Sequence, residues 1–365
     1  MKAGILTFHA SHNYGSMLQA YALQNVLKNL GVDNIIINFR SEIQKSLIPP
    51  PISLSHPRSS MIKLLKEPRK TFALLRKYIK FENFLNHNLY VSKELSTDTE
   101  VKKYIADCNF DTLITGSDQI WNPGCWDFNM VYLLDFDFHG KRIAYAPSLG
   151  STPETINSKK LLEICNALNH YDYLSTREKR GSEFIHNLTG RIPDTVVDPT
   201  LLIDKSVYTP LLTKVDKLPD EYIFYYTPRE ESGTFQHALD ISKKIKLPIV
   251  VTQDYLEYDG ENVIHILDCG PREFLTIINR ANLCIGNSFH LLVFSLIFHK
   301  NFFMLSNCAD SRMLNLLEKV NLTNRLIIGN QSVDFYDDIK YQEVDAAILR
   351  LRSESEKYLR NALAV

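Results

Sequence analysis

No two of the six cysteines stand in a CxxC pair, which removes the usual zinc-knuckle and dithiol redox patterns. Cys108, Cys125, Cys165, Cys269, Cys284 and Cys308 are scattered singly, and free buried thiols are expected. Neither GxGxxG nor GxxxxGK[ST] occurs, so the glycine cradles for dinucleotide and nucleoside-triphosphate phosphates are missing. Apolar stretches such as Leu291 to Phe298 are far too short to span a bilayer. The opening MKAGILTFHA enters a strand-like run at once, without the regions of a secretory signal, and the cytosol is the expected compartment. There is no surplus of one charge: 41 basic residues face 42 acidic ones, which leaves no nucleic-acid footprint. No low-complexity run and no solenoid-period repeat is visible.

What is present is ordinary globular composition, 45% apolar and 23% charged, over 365 residues, long enough for two cores. Short apolar runs alternate with helical spacing, the signature of stacked βα units. GILTF (4–8), NIIINF (34–39), TLIT (112–115), VYLLDF (131–136), RIAYA (142–146) and YLST (173–176) read as strands of a first series. A stretch without clear period runs from Asp198 to Pro219. A second series follows, with strands YIFYY (222–226), PIVV (248–251), VIHIL (263–267), LCIG (283–286) and FFML (302–305). The expectation is an α/β chain of two Rossmann-like lobes facing a cleft: residues 1–205, residues 206–342, and a C-terminal helix over 343–365. Open parallel sheets bind ligands at the carboxyl ends of their strands, so candidate residues are sought there.

Four segments carry a resemblance: GILTFHASHNYGSMLQAYALQ (4–24); DTLITGSDQIWNP (111–123) with LLDFDFHGKRIAYAPSLG (133–150); STREKRG…VVDPTLL (175–202); and PREFLTIINRANLCIGNSFHLLVFSLIFHKNFF (271–303) with SRMLNLLEKVNLTNR behind it. In this order and spacing they resemble the polysaccharide pyruvyl transferase family. That family has glycine after Ser-Phe-His, where this chain has Leu291. The resemblance implies a fold similar to the GT-B glycosyltransferases. It also implies phosphoenolpyruvate as donor and a sugar of a cell-surface polysaccharide precursor as acceptor, joined as a cyclic ketal with release of phosphate. A GT-B glycosyltransferase using a nucleotide sugar is the alternative. The acceptor is expected to be a lipid-linked oligosaccharide, met at the inner membrane face.

Ketal formation from phosphoenolpyruvate needs cations and backbone donors for two anionic groups, a proton for the methylene carbon, and a base for the hydroxyls. No metal or redox cofactor is demanded. His290, in the turn after LCIG where Ser288 caps a helix, is a candidate catalytic group beside an anion site; a histidine satisfied within the core is the competing reading. Arg177, Arg272, Arg312 and Lys300 are candidate donor-binding cations, each with an ion pair or a solvated position as its alternative. Asp118 is a candidate base. His12, Asn13, Tyr14, Gln19 and Gln119 are candidate acceptor contacts, and Trp121 a sugar-stacking platform or a core residue. Asp135 and Asp137 have DxD spacing but fit a strand end better. Residues 58–80 hold Arg58, Lys63, Lys66, Arg69, Lys70, Arg76, Lys77 and Lys80 against the single acid Glu67. Apolar residues interleave with them, as in a surface that meets anionic lipid, or in a solvated helix face.

Overall fold

The computed structural model describes residues 1–53, 57–150, 156–228, 233–254, 262–306, 310–328 and 338–365. Cys308 lies outside them. The strands are β1 (Lys2–Leu6), β2 (Asp33–Ile36), β3 (Thr112–Thr115), β4 (Lys141–Ala144), β5 (Ser175–Thr176), β6 (Asp194–Thr195), β7 (Ile223–Tyr226), β8 (Ile249–Val251), β9 (Val263–His265), β10 (Leu283–Gly286), β11 (Asn301–Ser306) and β12 (Leu326–Ile328).

The chain divides into two units. One contains Met1–Pro49, Leu85–Ile203 and Leu349–Val365; the other contains Pro50–Phe84 and Asp204–Ile348. The mid-chain crossing falls close to the 205/206 boundary read from the sequence. Residues 50–84 leave the unit that contiguous reading gave them, and the C-terminal helix, read as a separate segment, is divided. Residues 50–84 join the second unit, and the last part of the C-terminal helix Tyr341–Leu363 joins the first.

The first unit carries a parallel sheet in the order β2-β1-β3-β4. A bridge from Ile143 to Tyr173 leads on toward β5, which pairs with β6. Every residue of β3 is buried, as a strand covered on both faces must be. The run VYLLDF does not form a strand. Met130–Leu133 is a 3₁₀ turn started by Asn129, whose side chain accepts from Val131 N, and it ends in a left-handed Leu134. Asp135 and Asp137 follow it exposed, on no strand.

The second unit carries a six-stranded parallel sheet in the order β12-β11-β10-β7-β8-β9. Counted within the unit, β7 to β12 give the doubly wound Rossmann order, in which strands are added first on one side of β7 and then on the other. Helices Thr234–Ile245, Pro271–Arg280, Phe289–Ile297 and Ser311–Lys319 connect them. The basic segment lies on two helices, Pro57–Lys66 and Pro68–Asn88. Cys284 shows how dry this core is: burial pushes its thiol up to about 12, with Ser295 and Lys300 pulling the other way. No helix among the described residues is long and apolar enough to cross a membrane.

Candidate active site

A doubly wound sheet opens a crevice where its strand order reverses, at the carboxyl ends of the two strands that flank the reversal. In the first unit those strands are β1 and β3. Polar side chains converge just beyond both. Thr7 Oγ1 donates to Ser117 O at 3.2 Å. Gln19 Nε2 donates to Thr7 Oγ1 at 2.8 Å and to Phe8 O at 2.9 Å, while Gln19 Oε1 accepts from Ser117 N at 3.1 Å. Gln19 is therefore a fully buried brace between the two loops, not an acceptor contact. Asn13 caps the helix Tyr14–Asn29, accepting from Gly15 N at 2.9 Å and Ser16 N at 3.3 Å, so its oxygen serves the helix start. Tyr14 is buried, and His12 is partly exposed with a left-handed φ of 49°.

Asp118 stands at the centre. Its φ of 67° is in the left-handed region, which a short polar side chain tolerates better than most. Gly116 leads into it, at a place where a Cβ would lie 2.0 Å from Tyr145 O, so only glycine allows this approach. Ser16 donates to Asp118 Oδ2, and Gln119 N donates to Asp118 Oδ1 at 2.9 Å. Gln119 Oε1 accepts from Asn122 at 2.8 Å.

Arg177 was expected to point at a donor anion. Instead it is buried in this first-unit cluster among three carboxyl groups. Its Nη1 lies 2.8 Å from Asp198 Oδ2, its Nε 3.8 Å from Glu178 Oε2 and its Nη2 4.0 Å from Asp118 Oδ1. Asp198 also accepts from Ser117 Oγ at 3.2 Å and from Thr200 Oγ1 at 2.6 Å, and Glu178 Oε1 accepts from Ser148 Oγ at 2.9 Å and Leu149 N at 3.0 Å. Nothing in the local sequence joins Arg177 to Asp118 or Asp198; the strand order does.

Trp121 has no face for a sugar. It is 3% exposed, its Nε1 donates to Tyr132 O at 3.1 Å, and Tyr171 meets its ring edge-on. The exposed ring of this loop is Trp126, at 78%. Beside it, Asp127 is partly buried, and burial raises its carboxyl above the ordinary range; its own backbone partly offsets this and the charge of Asp118 adds to it.

In the second unit the reversal lies between β7 and β10. Thr227, just past β7, donates to Asn287, just past β10. The chain of contacts runs on across the sheet edge. Gln253 Nε2 donates to Thr227 O at 3.2 Å, Thr252 N donates to Gln253 Oε1 at 3.0 Å, and Lys77 Nζ donates to Thr252 O at 3.3 Å. Burial lowers the Lys77 ammonium from its ordinary value, against the pull of Cys269 and Asp254. A Cβ on Gly286 would lie 1.8 Å from Tyr226 O, so the chain passes here as closely as at Gly116. Ser288 caps the helix Phe289–Ile297, accepting from Leu291 N at 3.4 Å. His290 is in its first turn, largely buried and edge-on to Phe289 at 5.3 Å between ring centroids. Leu291 continues the helix, fully buried below Gly286.

The other cations fall apart from this group. Lys300 precedes β11 and so lies at the amino edge of the sheet, where its Nζ donates to Asn279 O at 3.0 Å. Arg312 closes its fork on Asp310, its own helix cap, at 3.0 and 2.5 Å. Arg272 is exposed at the carboxyl edge, its Nε donating to Leu211 O at 2.8 Å. Sequence reasoning missed Asp127, Trp126, Asp198 and Lys77 as members of the two clusters. Lys77 carried a usable signal, being one of the cations in a helix that already had an apolar face.

The model of the family described as polysaccharide pyruvyl transferase matches residues 13–309, which takes in both strand-end clusters. The chain belongs to this family. As a pyruvyl transferase family member it is an enzyme chain of polysaccharide biosynthesis. Its fold is shared with solved structures of low identity. The UDP-GlcNAc 2-epimerase from Methanocaldococcus jannaschii is 12% identical with a TM-score of 0.51, over 96% of this chain and 92% of that one. The UDP-N-acetylglucosamine 2-epimerase from Rickettsia bellii is 8% identical with a TM-score of 0.51, over 98% and 97%. Comparison with curated protein sequences finds no match. The pyruvyl transferase chain thus has the α/β, two-lobed Rossmann-like fold expected for it, with an all-parallel main sheet in each unit.

Proposed function

We propose that the chain transfers the enolpyruvyl unit of phosphoenolpyruvate to a hydroxyl pair of a sugar as a cyclic ketal, releasing phosphate. The observation that carries the reading is the different chemistry of the two strand-order reversals. The one in the second unit offers a helix start, an imidazole and a partly desolvated lysine, which suit an anion. The one in the first unit offers Asp118 held by Ser16 and Arg177, with Trp126 exposed nearby, which suits hydroxyls and a sugar face.

In this reading the second unit holds the donor. His290 supports the departing phosphate and Lys77 neutralises its charge. A proton reaches the methylene carbon, the cation at the adjacent carbon is attacked by one hydroxyl, phosphate leaves, and the second hydroxyl closes the ring. Asp118 takes the hydroxyl protons. The acceptor is a precursor carried on lipid.

Phosphate release from phosphoenolpyruvate, measured with glycan-lipid extract as acceptor and paired with the mass gain of ketalisation, tests the whole reading. Thermal stabilisation by a nucleotide sugar and none by phosphoenolpyruvate would select the glycosyltransferase alternative. Within the reading, Lys77→Met and His290→Gln are each expected to weaken phosphoenolpyruvate binding or turnover by about ten- to a hundred-fold, the size of one charge-assisted bond. Unchanged donor kinetics in both variants moves the donor elsewhere.

A further inference from the structure

The basic segment 58–80 is two surfaces, and only one of them is open. Along the helix Pro68–Asn88 the cations after Arg69 and as far as Lys80 are engaged by the second unit itself. Arg76 Nε meets Asp268 Oδ2 at 3.1 Å, Lys80 Nζ meets Glu273 Oε1 at 3.1 Å and Asp268 Oδ2 at 3.5 Å, and Lys77 turns to Thr252 O. Burial alone would raise the Asp268 carboxyl, but Lys80 and Arg76 together hold it below its usual value. Lys70 sits 3.9 Å from Glu67, the single acid of the segment. These residues are no longer available to a distant surface.

The helix Pro57–Lys66 is arranged differently. Ser60 is buried and tied to Ser53 N and O at 2.9 and 3.2 Å, and Lys63 O accepts from Thr71 Oγ1 at 3.1 Å, so the helix has a fixed inner side. On the outer side Met61 and Leu65, one turn apart, are 60% and 77% exposed. Beside them run Arg58, Ile62 and Lys66, again one turn apart, with Ile62 52% exposed. Lys63 and Arg69 flank this face, and all four cations are exposed. None of the four makes an ion pair with an acid among the described residues.

We infer that this outer face of Pro57–Lys66 is a docking surface for an anionic lipid bilayer, with Met61, Ile62 and Leu65 entering the interface and Arg58, Lys63, Lys66 and Arg69 meeting lipid phosphates. Charge selects this occupant. Large apolar side chains flanked by four exposed cations match a surface that is apolar below and negative above. The inference stands on this helix alone and does not rest on the ketal chemistry, though a lipid-linked acceptor gives such a surface its use.

The experiment is flotation of the full chain with vesicles of phosphatidylcholine alone or mixed with phosphatidylglycerol. Wild type should float with the mixed vesicles and not with the neutral ones, and binding should weaken as salt shortens the screening length. Reversal of Arg58, Lys63, Lys66 and Arg69 to glutamate should cut partitioning by about a thousand-fold, at about five-fold for each lost cation before repulsion is counted. Met61→Ser, Ile62→Ser and Leu65→Ser together should also abolish flotation at physiological salt. Both variants should retain the unfolding midpoint of wild type and its turnover on a soluble acceptor, which separates this result from any failure of the proposed reaction. Equal flotation with neutral and anionic vesicles, or wild-type flotation by both variants, overturns the inference. Absence of wild-type flotation also overturns it, and leaves the face to an acidic protein partner.

Discussion

Asp118→Asn is expected to leave phosphoenolpyruvate binding intact and to reduce transfer by about 10²- to 10⁴-fold, the range of a lost general base. The substitution keeps the size of the side chain and its place in the turn. Asn also tolerates the left-handed φ of 67°, so the backbone has no reason to move. The variant keeps one oxygen to accept from Gln119 N, its amide nitrogen donates to Ser16 Oγ where the carboxylate accepted, and what disappears is the ability to take a proton. Donor affinity by calorimetry and phosphate release in steady state separate the two effects. Loss of donor binding together with turnover would sink the assignment of the acceptor to this unit.

Arg177→Met is expected to destabilise the first unit by about 3–5 kcal/mol, the cost of removing one partner from a buried ion pair. The reason is local. The guanidinium is 3% exposed, and without it Asp198, Glu178 and Asp118 face one another with only hydroxyls and amides between them. Urea unfolding followed by fluorescence should show an early transition. Loss of turnover in a variant of wild-type stability would instead give Arg177 a direct role toward the donor.

Much of the fold was legible because parallel strands covered on both faces read as continuous apolar runs with helical spacing between them. TLIT, LCIG and YIFYY are such runs, and β3, β10 and β7 occupy them. Ser288 was legible as a cap because a hydroxyl directly before an apolar helix has little else to do. VYLLDF was misread because periodicity cannot separate a buried strand from a short buried turn. Its capping signal, Asn129, comes before the run and is weak on its own. Asp118 and His290 could be placed at strand ends because each comes just after the carboxyl end of an apolar strand run. The roles of Trp121 and Trp126 were not separable, since a loop without a period gives no face to either. Arg177 was read as pointing toward a ligand because two of its three carboxylate partners, Asp118 and Asp198, are far from it in the chain. Lys77 was hidden by its neighbours, whose charges made one continuous basic pattern out of two different environments.

The exchange of segments between the two units decides how this protein can be cut. A fragment ending near Ile203 would lack the last turns of the C-terminal helix. It would lose Ser355 Oγ, which receives Val197 N at 3.0 Å, the Tyr358 hydroxyl, which donates to Ala144 O at 2.8 Å, and Arg352, which donates to Leu201 O at 2.9 Å. A fragment beginning at Asp204 would lack Lys77 and Lys80, and with them the charges that answer Glu273 and part of Asp268. No single scission yields either half whole. A self-sufficient first unit has to be assembled from residues 1–49, 85–203 and 349–365, with new links replacing the two excursions, and the second needs 50–84 supplied in cis or as a peptide. The two strand-end clusters therefore cannot be separated for study by proteolysis or truncation, as they could be in a chain whose domains follow one another in line.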